Sequence, residues 1–146
     1  KKDVKVWYDS ASQSVTLLQT GEADVLPAYN ARAQVAIDSG APVSVSWNGA
    51  FYSLVGWTIP RGNPKADIAR RFIQYCARAD RQAAWTTALT NGPTNPGAYK
   101  FIAEKRARAL PTFPENFAQQ VPLDVEFWGK NKDSAQQRFS EWLLQR

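Results

Sequence analysis

Over its first third the chain switches repeatedly between a strand-like and a helix-like hydrophobic period, and this succession limits the possible folds more than any other feature. "DVKVWY" (residues 3–8) alternates and is rich in Val and aromatic side chains, the pattern of a half-buried strand. "DSASQSVTLLQTGE" follows as a helix, with Asp9 or Ser10 placed to cap it, Val15 and Leu18 turned inward, and Gly21 to stop it. "ADVLPAY" reads as a short strand broken near Pro27. Asn30 is placed to cap a second helix, "ARAQVAIDS", which closes at Gly40 with Pro42 beyond. "PVSVSW" is a third strand. A strand, helix, strand, helix, strand order predicts a parallel α/β sheet. Right-handed crossovers then gather the loops that follow the strands on one edge, where open α/β sheets bind ligands.

The residues expected on that edge repeat a theme. Tyr8 is followed by Asp9 and Ser10, Tyr29 by Asn30, and Trp47 by Asn48, so each loop offers an aromatic and then a short polar side chain. Taken singly, such residues are helix caps and strand ends; three such loops on one edge suggest a binding surface. A longer stretch adds to it. "SVSWNGAFYSLVGWTIPRGNP" (residues 44–64) carries no charge from Gly49 to Pro60 and crowds in Trp47, Phe51, Tyr52 and Trp57. Leu54, Val55 and Ile59 are expected in a sheet interior, and Trp47, Asn48, Tyr52 and Ser53 on a cleft wall.

The second half is predicted to be more helical. "GNPKADIARRFIQYCARADR" has Asn63 as cap, Pro64 in the first turn and Asp67 near the positive end of the helix dipole. Ile68, Phe72, Ile73 and Cys76 share one face, where Cys76 reads as a small core hydrophobe. "RQAAWTTALT" forms a shorter helix ending at Asn91-Gly92, and a basic helix is expected at about 98–108. "LPTFPENFAQQVPLD" is Pro-rich and expected to run extended over a surface. "SAQQRFSEWLLQR" closes the chain as an amphipathic helix with Phe139, Trp142 and Leu143 inward.

Composition narrows the chemistry. There is no histidine and a single cysteine, Cys76. The commonest general base, the commonest zinc ligand and any internal disulfide are therefore absent. No phosphate loop, dinucleotide fingerprint or nucleophile-elbow motif occurs, and no paired-carboxylate motif replaces them. A binding protein without catalytic residues, cofactor or metal is the expectation. Residues 61–108 carry a local charge of +7 within a net charge of +5. That charge is spread over at least two predicted helices without a nucleic-acid reading motif, so a solvated helical face is expected rather than a nucleic-acid partner. The N-terminus opens directly into the strand pattern with no signal-peptide core. An export signal already removed, or a start partway through a longer protein, would each give that appearance.

Three segments together resemble a known family. "LLQTGEADVLPAYNARAQVAIDSGAPVSVSW", "GWTIPRGNPKADIARRFIQYCARADRQAAW", and "NGPTNPGA" with "DVEFWGKNKDSAQQRFSEWLLQR" are similar to the C-terminal part of periplasmic solute-binding proteins of ABC importers, in the spermidine/putrescine-binding branch. The resemblance implies the type II periplasmic binding fold, two α/β lobes that clamp a ligand between them. Family members are markedly longer. The chain would then hold a second-lobe segment (1–52), a crossing strand with part of the first-lobe helices (53–109), and a C-terminal segment returning to the second lobe (110–146).

What the resemblance implies for function is capture of a small, amine-containing solute in the periplasm and its delivery to a permease in the inner membrane. A ligand-sensing domain of a regulator on the same fold is the alternative. Tyr29 stands where polyamine binders carry a cleft Trp, Asn30 is retained, and Ser10 falls near a cleft serine with Asp9 beside it. The family's second cleft Trp and its amine-anchoring Asp fall at Ser53 and Val55, and a late Gln falls at Gly129. The loss of that Asp weighs against a simple diamine, because a buried ammonium without a carboxylate is costly. The chain alone is expected to bind weakly, and to self-associate or to need the missing N-terminal lobe to cover its apolar faces.

Overall fold

The computed structural model describes residues 1–145. Its elements in chain order are α1 (Ala11–Thr20), α2 (Asn30–Asp38), β1 (Phe51–Tyr52), α3 (Ala66–Cys76), α4 (Ala79–Leu89), a 3-10 helix (Pro96–Phe101), α5 (Glu104–Ala107), α6 (Pro114–Phe117), β2 (Val121–Pro122) and α7 (Val125–Leu144).

The predicted helices exist, with shifted ends. Gly21 closes α1 in the left-handed conformation, at φ 67°. Ser10 precedes α1 in extended backbone, yet its hydroxyl pairs with Ser12 Oγ at 2.7 Å and not with a helix N–H. The buried face of α1 is Ser14 and Leu17, one residue N-terminal to the expected Val15 and Leu18, which are half-buried. Before α2 the flanking residue is Tyr29, so Asn30 is the first helical residue and does not cap. Asn63 likewise stands ahead of α3, where its Oδ1 accepts the Lys65 N–H at 2.9 Å in a local turn.

Three further expectations are corrected. The basic helix at 98–108 is broken into the 3-10 helix and α5, because Ile102 and Ala103 are extended between them and Ile102 turns into the core. The Pro-rich stretch after Leu110 is not uniformly extended: Pro114 starts α6, whose first turn needs no proline N–H. The last helix begins at Val125, well before Ser134, since Asp124 Oδ1 accepts the Phe127 N–H at 2.8 Å and caps it. The far end of that expectation, Arg146, lies outside the described residues.

The larger correction concerns the sheet. Residues 3–8, 23–29, 42–47 and 53–60 are not paired strands among the described residues. The ladder present is β1 parallel to β2, with Phe51 opposite Val121 and Tyr52 opposite Pro122. The parallel intent is still visible in the first two extended segments. Lys5 Nζ meets Asp24 Oδ2 at 2.8 Å, and the Tyr8 hydroxyl donates to the Pro27 carbonyl, both at a sequence offset of 19. Equal offsets mean that the segments run side by side in one direction. Along residues 42–47, half-buried Val43, Val45 and Trp47 alternate with exposed Pro42, Ser44 and Ser46. These segments have strand periodicity without a strand's hydrogen-bonded neighbours, which local sequence does not supply.

The main buried cluster is Ala83, Ala98, Ile102, Ala107 and Leu110, with Tyr99 and Phe113 against it. It lies where α4 packs on the 3-10 helix. Elsewhere apolar groups meet solvent: the supposed sheet-interior residues Leu54 and Val55 are 81% and 94% exposed, while Ile59 is half-buried. Cys76 is half-buried too, and the α3 face that it shares with exposed Ile68 and Phe72 holds no buried residue. Phe139, Trp142 and Leu143 are only partly covered, Trp7 packing edge-on against the first two. The accessible surface is 11465 Å². A compact monomer of this mass exposes about 7,500 Å².

Candidate functional site

A cavity of about 450 Å³ opens between α2 and the C-terminal end of α4. This is within the usual size range of small-molecule sites, roughly 300–1,000 Å³. Its polar lining includes Tyr29, Asn30, Arg32, Asp38, Thr90 and Arg106, with Thr87 and Asn91 beside Thr90. The end of the second extended stretch, directly before α2, places Tyr29 at the mouth, where the residue is 76% exposed. Asn30 Nδ2 donates to the Thr90 carbonyl at 2.7 Å. At the far end of α2, Asp38 pairs with Arg106 at 2.9 Å and accepts from Gln34 Nε2 at 2.7 Å. The Arg106 hydrogen bond first, and the Gln34 one second, hold the Asp38 carboxyl below its ordinary pKa against a modest desolvation penalty. Arg32 is exposed and makes no ion pair among the described residues.

The residues singled out in the sequence divide into two groups. Tyr29 and Asn30 line this cavity; Asp9 and Ser10 do not, although the next residue, Ala11, does. The Asp9 side chain is exposed and carries no hydrogen bond or ion pair among the described residues. Trp47, Asn48, Tyr52 and Ser53 do not line it. They lie in and around β1, where Gly49 N–H donates to the Gln119 carbonyl, Leu123 N–H donates to the Tyr52 carbonyl, and the Tyr52 ring lies 4.8 Å from that of Phe117. Trp47 and Tyr52 are half-buried, and Asn48 and Ser53 face solvent.

Sequence reasoning missed Arg32, Asp38, Thr90 and Arg106. Arg32 was within reach, two positions after the aromatic-Asn pair. The Asp38–Arg106 tie joins residues 68 apart, and no local pattern announces it. Among the described residues no three Cys, Asp or Glu side chains converge as a metal site. The lining offers two guanidinium groups, one of them without an ion pair among the described residues, an aromatic face, the Thr87 hydroxyl, the Asn91 amide, and the Asn30 amide with one N–H committed to Thr90.

Residues 1–115 match the family model described as bacterial extracellular solute-binding protein. The chain belongs to that family. Over 136 residues, 93% of the chain, it is 27% identical to the gamma-aminobutyric acid-binding protein of Pseudomonas aeruginosa, of which it spans 39%. Among solved structures it is similar to the binding protein AgtB from A. tumefaciens R10 in complex with agropinic acid (TM-score 0.71, 34% identity, 94% of this chain and 44% of that one). It is also similar to an ABC transporter substrate-binding protein from Bradyrhizobium japonicum USDA 110 (TM-score 0.81, 28% identity, 99% and 45%). The chain thus has the type II periplasmic binding fold over less than half the length of these relatives. The relatives are solute-binding proteins rather than enzymes. No helix among the described residues is long and apolar enough to cross a membrane.

Proposed function

We propose that this solute-binding chain contributes to the substrate-binding component of an ABC importer, working in the periplasm, and that its solute is a small amine-containing acid. The single observation that carries the acid is the Arg32 guanidinium, which has no ion pair among the described residues, at a cavity where the one lining carboxylate among them, Asp38, is already neutralised by Arg106. A guanidinium fork matches a carboxylate in geometry and charge. Two relatives with a ligand in their names support the acid, one being named for gamma-aminobutyric acid and the other solved with agropinic acid. Val55, where the polyamine-binding branch carries its anchoring Asp, also leaves an ammonium without a partner at that position.

In this reading Tyr29 covers the solute, Arg32 holds its carboxylate, and Asp9 with Ser10 is available to the amine. Trp47, Asn48, Tyr52 and Ser53 form a second wall that reaches the solute when the lobes close. Residues 1–52 and 110–146 belong to one lobe, a reading supported by the β1–β2 pairing, and residues 53–109 belong to the crossing strand and the other lobe. Solute binding favours a closed arrangement of two lobes, and a permease in the inner membrane receives that form. The unburied apolar surface supports a cover, from the remainder of a first lobe or from a second copy. A polyamine is the second reading, favoured by the exposed and unpaired Asp9 carboxylate.

Native mass spectrometry with gamma-aminobutyric acid, agropinic acid, putrescine and spermidine at millimolar concentration tests this. An adduct with either acid that disappears in Arg32→Gln is the expected result. Adducts with the polyamines alone, unaffected by that substitution and lost in Asp9→Asn, would replace the acid with the second reading.

A further inference from the structure

We infer that Asn30 is a positioning residue: its side chain fastens the Tyr29–Arg32 turn to the C-terminal turn of α4, and thereby sets the width of the cavity between them. The inference deepens the proposed function, since it takes Tyr29–Arg32 as the solute-contacting turn, but the bond and its test involve no solute.

The geometry is specific. The Thr90 carbonyl can only accept, so the group that faces it at 2.7 Å must be the Asn30 amide NH₂, whichever way the amide is drawn. Thr90 itself is fixed. It is 6% exposed, its N–H bonds the Thr86 carbonyl at 2.8 Å, and it is the one non-glycine residue with positive φ among the described residues, at 55°. A threonine forced into the left-handed region points its carbonyl in one direction, and here that direction is back toward α2. Behind Thr90 stands the main buried cluster, where α4 packs on the 3-10 helix.

The arrangement around this bond makes it decisive. α1 and α2 pack on each other, and α4 packs on the 3-10 helix. Between residues 11–40 and residues 79–110 the side-chain ties among the described residues are Asn30 to Thr90 and Asp38 to Arg106, at opposite ends of α2. The second is an ion pair with Asp38 half exposed, a weak tie in water. Asn30 is the better shielded of the two and sits next to Tyr29. One of its two amide N–H groups is used in this bond, while the other N–H and Oδ1 remain able to hydrogen-bond.

Hydrogen exchange of the 146-residue chain, read by NMR, tests the role. The reporting amides are Ala33 N–H, bonded to the Tyr29 carbonyl, and Thr90 N–H, on the far side of the bond. Ala98 and Leu110 N–H, in the core, are the controls. Asn30→Ala is expected to speed exchange at Thr90 about fivefold, the worth of one ordinary hydrogen bond. Asn30→Asp, which sets a carboxylate against the carbonyl, is expected to speed it more, and Asn30→Gln, which keeps an NH₂ donor, less than either. Ala33 follows in the same order while the controls hold. Thr90 is the deciding amide because it lies 60 residues from the substitution. An unchanged Thr90 in Asn30→Ala, a change confined to Ala33, or an equal rise at the controls would each overturn the role. If Asn30→Asp does not fold, Asn30→Ala and Asn30→Gln decide alone.

Discussion

Residues 79–113 and residues 53–60 are both rich in apolar side chains, and the structure treats them in opposite ways. In the first stretch Ala83, Ala98 and Leu110 are almost wholly enclosed; in the second, Val55 is 94% exposed. The difference is one of contact range. The 79–113 cluster closes within a short loop, α4 against the 3-10 helix, through contacts that cost little chain entropy. A segment with a strand pattern, such as 53–60, becomes a strand only through neighbours that come from distant sequence. The chain spans less than half the length of the relatives it matches, and local and distant burial separate cleanly within it.

The comparison predicts a large asymmetry between two truncations. Leu110→Ala removes a fully enclosed side chain from the centre of the cluster. Its expected cost is about 2–5 kcal/mol. Val55→Ala is expected to change stability by less than about 0.5 kcal/mol. Urea unfolding of both variants checks this. A Val55→Ala loss comparable to that of Leu110→Ala would mean that the extended segment is buried in solution, by a second copy for instance. Repeating the measurement at several protein concentrations would expose that copy.

A smaller effect is expected where the cluster meets its closing loop. A Cβ on Gly92 would stand 2.5 Å from both Cγ2 and Oγ1 of Thr112. Thr112 is β-branched and its hydroxyl is paired with the Tyr99 hydroxyl at 2.9 Å, so it has little room to yield. Gly92→Ala is expected to cost about 1–3 kcal/mol. Adding Thr112→Ala removes the clashing atoms and should return much of that loss, less the lost hydroxyl pair. Non-additivity of this kind, measured as a double-mutant cycle, tests the contact itself.

The same division explains what the sequence made legible. Gly21, Asp67 and the apolar spacing of α3 are short-range signals, and the helices they mark are present. Asn30 and Asn63 were misread because an Asn near a helix start has other uses: one reaches Thr90 and the other turns back on Lys65. The break at Ile102 was illegible because only the tertiary cluster explains why a residue should leave the helical path there. Likewise the strand pattern of residues 42–47 was correctly periodic, yet periodicity states which face is apolar and not whether a partner covers it. Of the candidate site, the aromatic-Asn pair at Tyr29 and Asn30 was visible. The charges opposite it were not, because Asp38 and Arg106 meet only through the packing of distant helices.

That last pair carries the smallest prediction, and the one that bears on whether the two regions touch at all in solution. Asp38 lies on α2 and Arg106 on α5, so their ion pair spans the boundary between loosely and densely packed parts. With its folded pKa lowered, first by Arg106 and then by Gln34, Asp38 contributes stability above the unfolded carboxylate value of about 3.9. The contribution is lost as the pH falls through the lowered folded value, so any benefit is present at neutral pH and gone in strong acid. Because Asp38 is half exposed, the effect on stability should stay below about 1 kcal/mol and shrink further in salt. The sharper readout is the titration of Asp38 itself. In Arg106→Gln its side-chain carboxyl resonance should titrate at higher pH than in the parent chain, approaching an ordinary aspartate, with the Gln34 bond keeping part of the difference. An Asp38 that titrates identically in both would mean that α2 and α5 do not meet through this pair, and that the cavity above it is open at that end.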